Sequence, residues 1–306
     1  MSVKLENFGD LHKWSKELLD DDYNHGQYVV IKTKNVAAES NSEVSSTTKL
    51  STADKTSGDS KVGLEVKFKG SVRGVSLEGV QKNDGTNTLE VKSDYLERAS
   101  KIKGLQLLAN FSGVAIPTNQ AFVAKAGLEY NTSCCKGKLI ANLRSFLVEH
   151  NFTHKARSNF LLGYNIILDP VTQNLEKYDY GLSWSPAEGA FVGLRHESLS
   201  KEKLQLGKVL FLLHHNVSTS RSIGSEFAFN YSTNEKDARL GLSEKIDDDT
   251  QLKVKVNHKA YVDLVLKRRI NSVLTLGLVS GFNALRVVQE QKTGTLPLGF
   301  SLDFKF

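Results

Sequence analysis

Leu298-Gly299-Phe300-Ser301-Leu302-Asp303-Phe304-Lys305-Phe306 is the stretch from which the fold can be read. Its leucines and phenylalanines all fall on one side of an extended chain, and Gly299, Ser301, Asp303 and Lys305 fall on the other. The same period of two runs through most of the sequence. Leu64, Val66 and Phe68 alternate with Glu65, Lys67 and Lys69, and Leu89 and Val91 with Glu90 and Lys92. Phe122, Ala124, Ala126, Leu128 and Tyr130 alternate with Lys125, Gly127 and Glu129. Leu252, Val254 and Val256 alternate with Lys253, Lys255 and Asn257. Gln27 to Asn35 reads as the first such strand, with Lys32 on its polar side.

Turn signals separate these runs: Asn83-Asp84-Gly85, Asp169-Pro170, Ser185-Pro186, Glu188-Gly189, Asp247-Asp248-Asp249 and Lys267-Arg268-Arg269. The spacing gives about 17 to 19 strands of roughly 9 to 12 residues, a meander of hairpins. Glu39 to Lys61 is rich in Ser and Thr and reads as a polar strand with long loops or as a partly disordered stretch. Only one segment breaks the pattern. Asn7 to Asp22 places Phe8, Leu11, Ser15 and Leu18 at helical spacing, with Trp14 adding to that face. Three aspartates, Asp20 to Asp22, oppose the helix dipole at its C-terminal end and predict that the helix stops there.

Composition limits what such a chain can be. In 306 residues the longest apolar run, Val209 to Leu213, is five residues, whereas a membrane-crossing helix needs about 20. Transmembrane helices are thereby excluded, but a barrel is not, because its apolar residues are hidden in alternation. The start of the chain lacks the basic and apolar regions of a secretory signal, so bacterial-type export is not expected. The formal net charge of +6 suggests anionic partners without selecting among them. The two cysteines, Cys134 and Cys135, are adjacent and read as incidental thiols. His214 and His215 should point to opposite faces of a strand, so they make a poor chelating pair. No catalytic or metal-binding set is expected, and no cofactor.

Two architectures can use so many strands. A soluble sandwich or propeller would put the apolar faces inside, and the strand-borne lysines would be its solvated surface. A closed membrane barrel would turn the apolar faces to lipid and the charges inward. Lys67, Lys69, Lys92, Lys125, Lys253 and Lys255 then border a water-filled lumen, with few acids beside them in sequence. Tyr28, Tyr95, Tyr164 and Tyr231 are candidates for the aromatic girdles.

Several stretches resemble the mitochondrial voltage-dependent anion channels, the eukaryotic porins. Phe8-Gly9-Asp10-Leu11 through Lys16-Glu17-Leu18-Leu19 to Asp22-Tyr23 resembles that family's N-terminal helix. Gly104-Leu105-Gln106 is similar to its Gly-Leu-Lys position, Ala238 to Leu242 and the hairpins from Leu252 to Phe282 to its last strands, and Gly299 to Phe304 to the β-signal of outer-membrane barrels. The resemblance implies an all-β fold, a closed transmembrane antiparallel β-barrel of about 19 strands with an N-terminal amphipathic α-helix inside the pore. Residues 1–25 would be the pore-lining helical segment and 26–306 the barrel.

It further implies a voltage-dependent anion-selective channel, not an enzyme, passing ATP, ADP and phosphate by diffusion across the mitochondrial outer membrane. Lys13, Lys16 and Lys32 would join the anion path. Gln106 stands where the family has a nucleotide-contacting lysine, so any nucleotide contact there would lack charge. Gly299, Leu302 and Phe304 would form the insertion signal read by the outer-membrane barrel insertion machinery. The partners implied are anionic metabolites and nucleotides, membrane lipids, and a homo-oligomer or larger mitochondrial complex, with no nucleic acid. Two alternatives share the fold: a protein-translocating barrel of the same superfamily, and a barrel kept as a structural subunit of a membrane assembly.

Overall fold

The computed structural model of the protein describes residues 5–23, 27–37, 42–52, 60–114, 122–198, 206–285, 287 and 298–305. It contains a 3-10 turn, Phe8–Asp10, a short helix α1, Lys13–Leu19, and nineteen strands. The first third holds β1 (Gln27–Ala37), β2 (Ser42–Thr52), β3 (Ser60–Val72), β4 (Val75–Lys82) and β5 (Thr86–Ser93). A short helix α2 (Tyr95–Ser100) leads to β6 (Leu105–Val114), β7 (Val123–Asn131), β8 (Cys135–Asn142) and β9 (Val148–Arg157). Next come β10 (Phe160–Asp169), β11 (Asn174–Trp184), β12 (Ala190–Glu197), β13 (Lys208–Asn216) and β14 (Arg221–Asn230). The set ends with β15 (Lys236–Lys245), β16 (Thr250–Asn257), β17 (Tyr261–Arg269), β18 (Leu274–Asn283) and β19 (Leu298–Lys305).

Every strand pairs with its neighbour in sequence, and β1 pairs with β19, so the sheet closes on itself with no free edge. Closure satisfies the backbone groups that hydrocarbon could not. Consecutive strands are antiparallel, but the closing pair is parallel, from Val29 beside Phe300 to Lys34 beside Lys305. The expected purely antiparallel barrel is corrected at this one seam. In an up-and-down meander with an odd number of strands, the first and last must run the same way.

Alternation sets the two faces of the wall. In β13, Phe211 and Leu213 are exposed while Leu210 and Leu212 are buried. The registers carry the same outward side through Phe227 and Ile223 of β14 to Leu240 of β15, all exposed. Further round, Leu266, Leu278 and Phe300 lie outward as well. The apolar side chains therefore face away from the barrel axis, as lipid demands. The two buried apolar clusters, Phe8 with Leu11 and Leu161, and Leu210 with Leu212 and Ala228, both lie where the N-terminal segment meets the inner wall. No described helix is long and apolar enough to cross a membrane, and the strands run to 8 to 13 residues.

Several expected turns stand where their residues place them. Asn83 to Gly85 joins β4 to β5, with Gly85 at φ 84°, and Asp247 to Asp249 joins β15 to β16. Lys267-Arg268-Arg269 does not form a turn: these residues end β17, and Arg269 pairs with Asp249 at 2.6 Å. The polar stretch after Glu39 contains strand β2, while residues 38–41 and 53–59 lie outside the described residues. Of the candidate girdle tyrosines, Tyr164 lies on the outward face of β10 and Tyr231 just beyond β14. Tyr95 is on α2, and the side chain of Tyr28 lies outside the described residues.

Candidate functional site

The N-terminal segment lies on the inner wall across β9 to β15. Phe8, Leu11, Ser15, Leu18 and Leu19 are buried against it, and Lys13, Lys16, Glu17 and Asp20 are exposed. Trp14 stacks on Phe191 with ring centroids 5.8 Å apart. The expected apolar face is therefore the docking face, with the fully buried Leu19 added to it. The helix ends at Leu19 with Asp20 as its cap, as the run of aspartates predicts.

Five glycines let the segment approach the wall. Gly163, Gly181, Gly193, Gly224 and Gly241 sit on the inward face of β10, β11, β12, β14 and β15. A β-carbon at Gly181 would come within 2.7 Å of Leu11, at Gly193 within 2.6 Å of His12, and at Gly241 within 2.6 Å of Leu19. Phe8 and Leu18 meet Gly163 and Gly224 in the same way, at 2.9 and 2.8 Å. Without side chains at these positions, the strand backbones themselves form the seat.

Charges fasten the C-terminal end. Lys253 of β16 donates from Nζ to the Glu17 carbonyl and to the Asp22 carboxylate, both at 2.8 Å. The first bond satisfies a carbonyl that the end of the helix leaves without an internal partner. Lys267 also pairs with Asp22 at 2.5 Å, and Arg239 bridges Asp20 and Glu226 at 2.7 and 2.5 Å. Burial opposes ionisation of Asp22, but hydrogen bonds and charge from Lys253 and Lys267 outweigh it and hold the carboxyl below its ordinary range.

His12 is the buried titratable group of the docked segment's first turn. Its Nε2 donates to the Leu182 carbonyl at 2.8 Å, and Nδ1 has no partner. Burial, with the nearby Arg195 charge, pushes the imidazole down to about 4 against the opposing effect of the Leu182 bond. Docking therefore has its full strength above pH 6.5, where the released imidazole is also neutral. It weakens as pH falls towards 4, because the released form gains a proton that the docked form refuses. The loss is about 2 kcal/mol by pH 5. Trp14 fluorescence followed against pH should report release across this window, and His12→Gln, which keeps a donor for Leu182, should flatten the curve. Identical curves would refute the assignment. Asp22 adds its own loss only below the ordinary carboxylate range.

The lysines singled out from alternation all lie on the inward face, by register from Lys253 round to Lys125. Most have an acid within reach, on a neighbouring strand or two residues away on their own. Lys67 pairs with Glu65 at 3.0 Å, Lys69 with Glu78 at 3.7 Å, and Lys92 with Glu129 at 2.8 Å. Lys255 pairs with Asp263 at 3.1 Å and sits over the Tyr23 ring, and Lys32 reaches Asp303 at 3.7 Å across the closing seam. The expected scarcity of acids is thus corrected, by cross-strand neighbours for Lys69, Lys255 and Lys32, from two strands away for Lys92, and by Glu65 on its own strand for Lys67. Among the described residues, Lys125 and Lys16 carry no ion pair, and Lys13 lies 3.7 Å from Glu17.

Gln106 points inward, half-buried and in register with Glu129. Gly299 faces inward, and Leu302 and Phe304 face outward. His214 lies inward against Trp14 and His215 is on the opposite face, as expected for adjacent strand residues. No group of three potential metal ligands occurs among the described residues.

A cavity of about 800 Å³ lies beside the helix, bordered by Trp14, Glu17, Asp22, Lys32, Lys253 and Lys267. A second, of about 320 Å³, lies on the helix's other flank between Lys13, Lys16, Asp20, Arg195, Lys208 and Glu226. Such an arrangement can hold water and order small ions among fixed charges of both signs. A comparison with curated individual proteins finds no match. Residues 6–294 match the family model described as eukaryotic porin.

Proposed function

The chain belongs to the eukaryotic porin family, and on that premise we propose that this porin-type channel is voltage-dependent and weakly anion-selective. It passes metabolites such as ATP, ADP and phosphate by diffusion across the mitochondrial outer membrane. The observation that supports this reading is the inner face, which presents lysines from β1, β3, β5, β7 and β16 to the lumen. Fixed positive charge beside a water path raises the local concentration of anions. Because acids neutralise most of these lysines, the preference is weak and rests chiefly on Lys125 and Lys16. Lys13, Lys32, Lys67, Lys69, Lys92, Lys253 and Lys255 shape the path as members of ion pairs.

Gln106 offers an anion a hydrogen bond but no charge, so nucleotides meet no tight site there. Outward Leu302 and Phe304, with inward Gly299, suit an insertion signal presented on the last strand. Efflux of ATP from liposomes holding the purified protein tests the reading. ATP should leave faster than a cation of similar size, and Lys16→Glu with Lys125→Glu should narrow the difference. Liposomes that retain ATP would overturn it.

A further inference from the structure

The turn from Asn131 to Cys135 joins β7 to β8 and brings both cysteines to one side of the wall. The Thr132 amide donates to the Cys135 carbonyl at 2.8 Å, and the Cys135 amide donates to the Thr132 hydroxyl at 3.1 Å. Cys134 sits in the bend before the strand begins, so its side chain escapes the alternation that would otherwise separate the two thiols. The two sulfurs are 3.5 Å apart. His154, in register with Cys135 on β9, brings Nδ1 to 3.2 Å from the Cys135 sulfur. Cys134 is exposed, with the Thr132 hydroxyl 3.7 Å from its sulfur. That hydroxyl, and then the Cys135 thiol, hold the Cys134 thiol below its ordinary range.

We propose that Cys134 and Cys135 form a peroxide-reactive dithiol, in which Cys134 is oxidised first, Cys135 resolves it, and His154 serves as the base. An accessible thiol with thiolate character beside a second thiol is the arrangement that favours reversible oxidation. The Cys134 thiolate attacks one oxygen of hydrogen peroxide. The O–O bond breaks, a sulfenic acid forms, and the other oxygen leaves as hydroxide and takes up a proton to become water. His154 Nδ1 then takes the proton from Cys135. The resulting thiolate attacks the Cys134 sulfur, the S–O bond breaks, and the departing hydroxide recovers the proton from His154 as a second water. The two sulfurs lose two electrons and the peroxide gains them.

Adjacent α-carbons lie about 3.8 Å apart, less than disulfides usually span. The closed ring is therefore strained and readily reopened by a small thiol, as befits a switch and not a structural staple.

Intact-mass measurement of the full-length folded barrel in detergent, exposed to hydrogen peroxide, tests the proposal. The wild type should lose the mass of two hydrogen atoms, remain monomeric, and regain the mass with dithiothreitol. Cys135→Ser should stop at one added oxygen, trapped by dimedone at Cys134, and Cys134→Ser should resist modification at low peroxide. His154→Gln, checked for an unchanged folded-state migration, should slow closure about a hundredfold or more, on the order expected for loss of a general base. Direct accumulation of two or three oxygens in the wild type, or disulfide-linked dimers, would overturn the dithiol. Closure at the wild-type rate in His154→Gln would overturn the role of the histidine.

Discussion

Gly181→Leu should drive the N-terminal helix off the barrel wall. A β-carbon alone at Gly181 would come within 2.7 Å of Leu11 and 3.2 Å of Phe8. Gly181→Ala asks only for a shift at the flexible ends of those side chains. A leucine fills the space that Leu11 occupies, and the strand cannot retreat because it is bonded on both sides to β10 and β12. The helix must then give up the burial of Phe8 and Leu11, each worth about 1.5–3 kcal/mol. That loss is comparable to the whole net docking energy once the cost of ordering the segment is counted. Hydrogen exchange at Lys16 to Asp20 should accelerate sharply in Gly181→Leu and little in Gly181→Ala. The barrel's own amides should stay protected in both. Protection of the helix unchanged in Gly181→Leu would show that the glycine row is not its seat.

Asp22→Asn should have an effect of similar size by a different route. Asp22 neutralises Lys253 and Lys267 together, and the Lys253 side chain is only 10% exposed. Removing one member of a buried pair leaves a charge without compensation and typically costs about 3–5 kcal/mol. The helix end should loosen, and two lumen cations should become free to act on ions. Stronger anion preference together with faster exchange at Lys16 to Asp20 is the expected pair of results. Stability and selectivity both at wild-type values would show that the contact is not the fastening. Asp22→Asn with Lys253→Met should recover part of the stability and show a smaller gain in selectivity, since no buried charge at 253 is then left alone and only Lys267 is freed.

The period of two was legible because each strand meets lipid on one side and water on the other. The last strand illustrates this, with Leu302 and Phe304 outward beside Asp303 inward. The helix was legible from Phe8, Leu11 and Leu18, and its end from Asp20 to Asp22. Most of the neutralisation of the lysines was not, because, apart from Lys67 with Glu65 and Lys92 with Glu90 on single strands, it is made across strands. Lys92 meets Glu129 through the pairing of β5, β6 and β7, and Lys253 meets Asp22 through the placement of the helix. Nor was the convergence of Cys134 and Cys135, which depends on the bend that releases Cys134 from alternation. One signal was present and passed over. Gly163, Gly181, Gly193, Gly224 and Gly241 recur in the middle of strands, where glycine weakens a sheet unless another backbone or side chain must come close. α2 leaves no such signal, because six residues are too few to show a helical period.

A planar bilayer holding the purified chain, recorded across a salt gradient, decides whether the lumen conducts and which ions it prefers. Large, stable channels are expected, whose reversal potential has the sign of a modest anion preference and which close in part as the voltage rises. An absence of conductance, or a reversal potential of the opposite sign, would contradict this expectation.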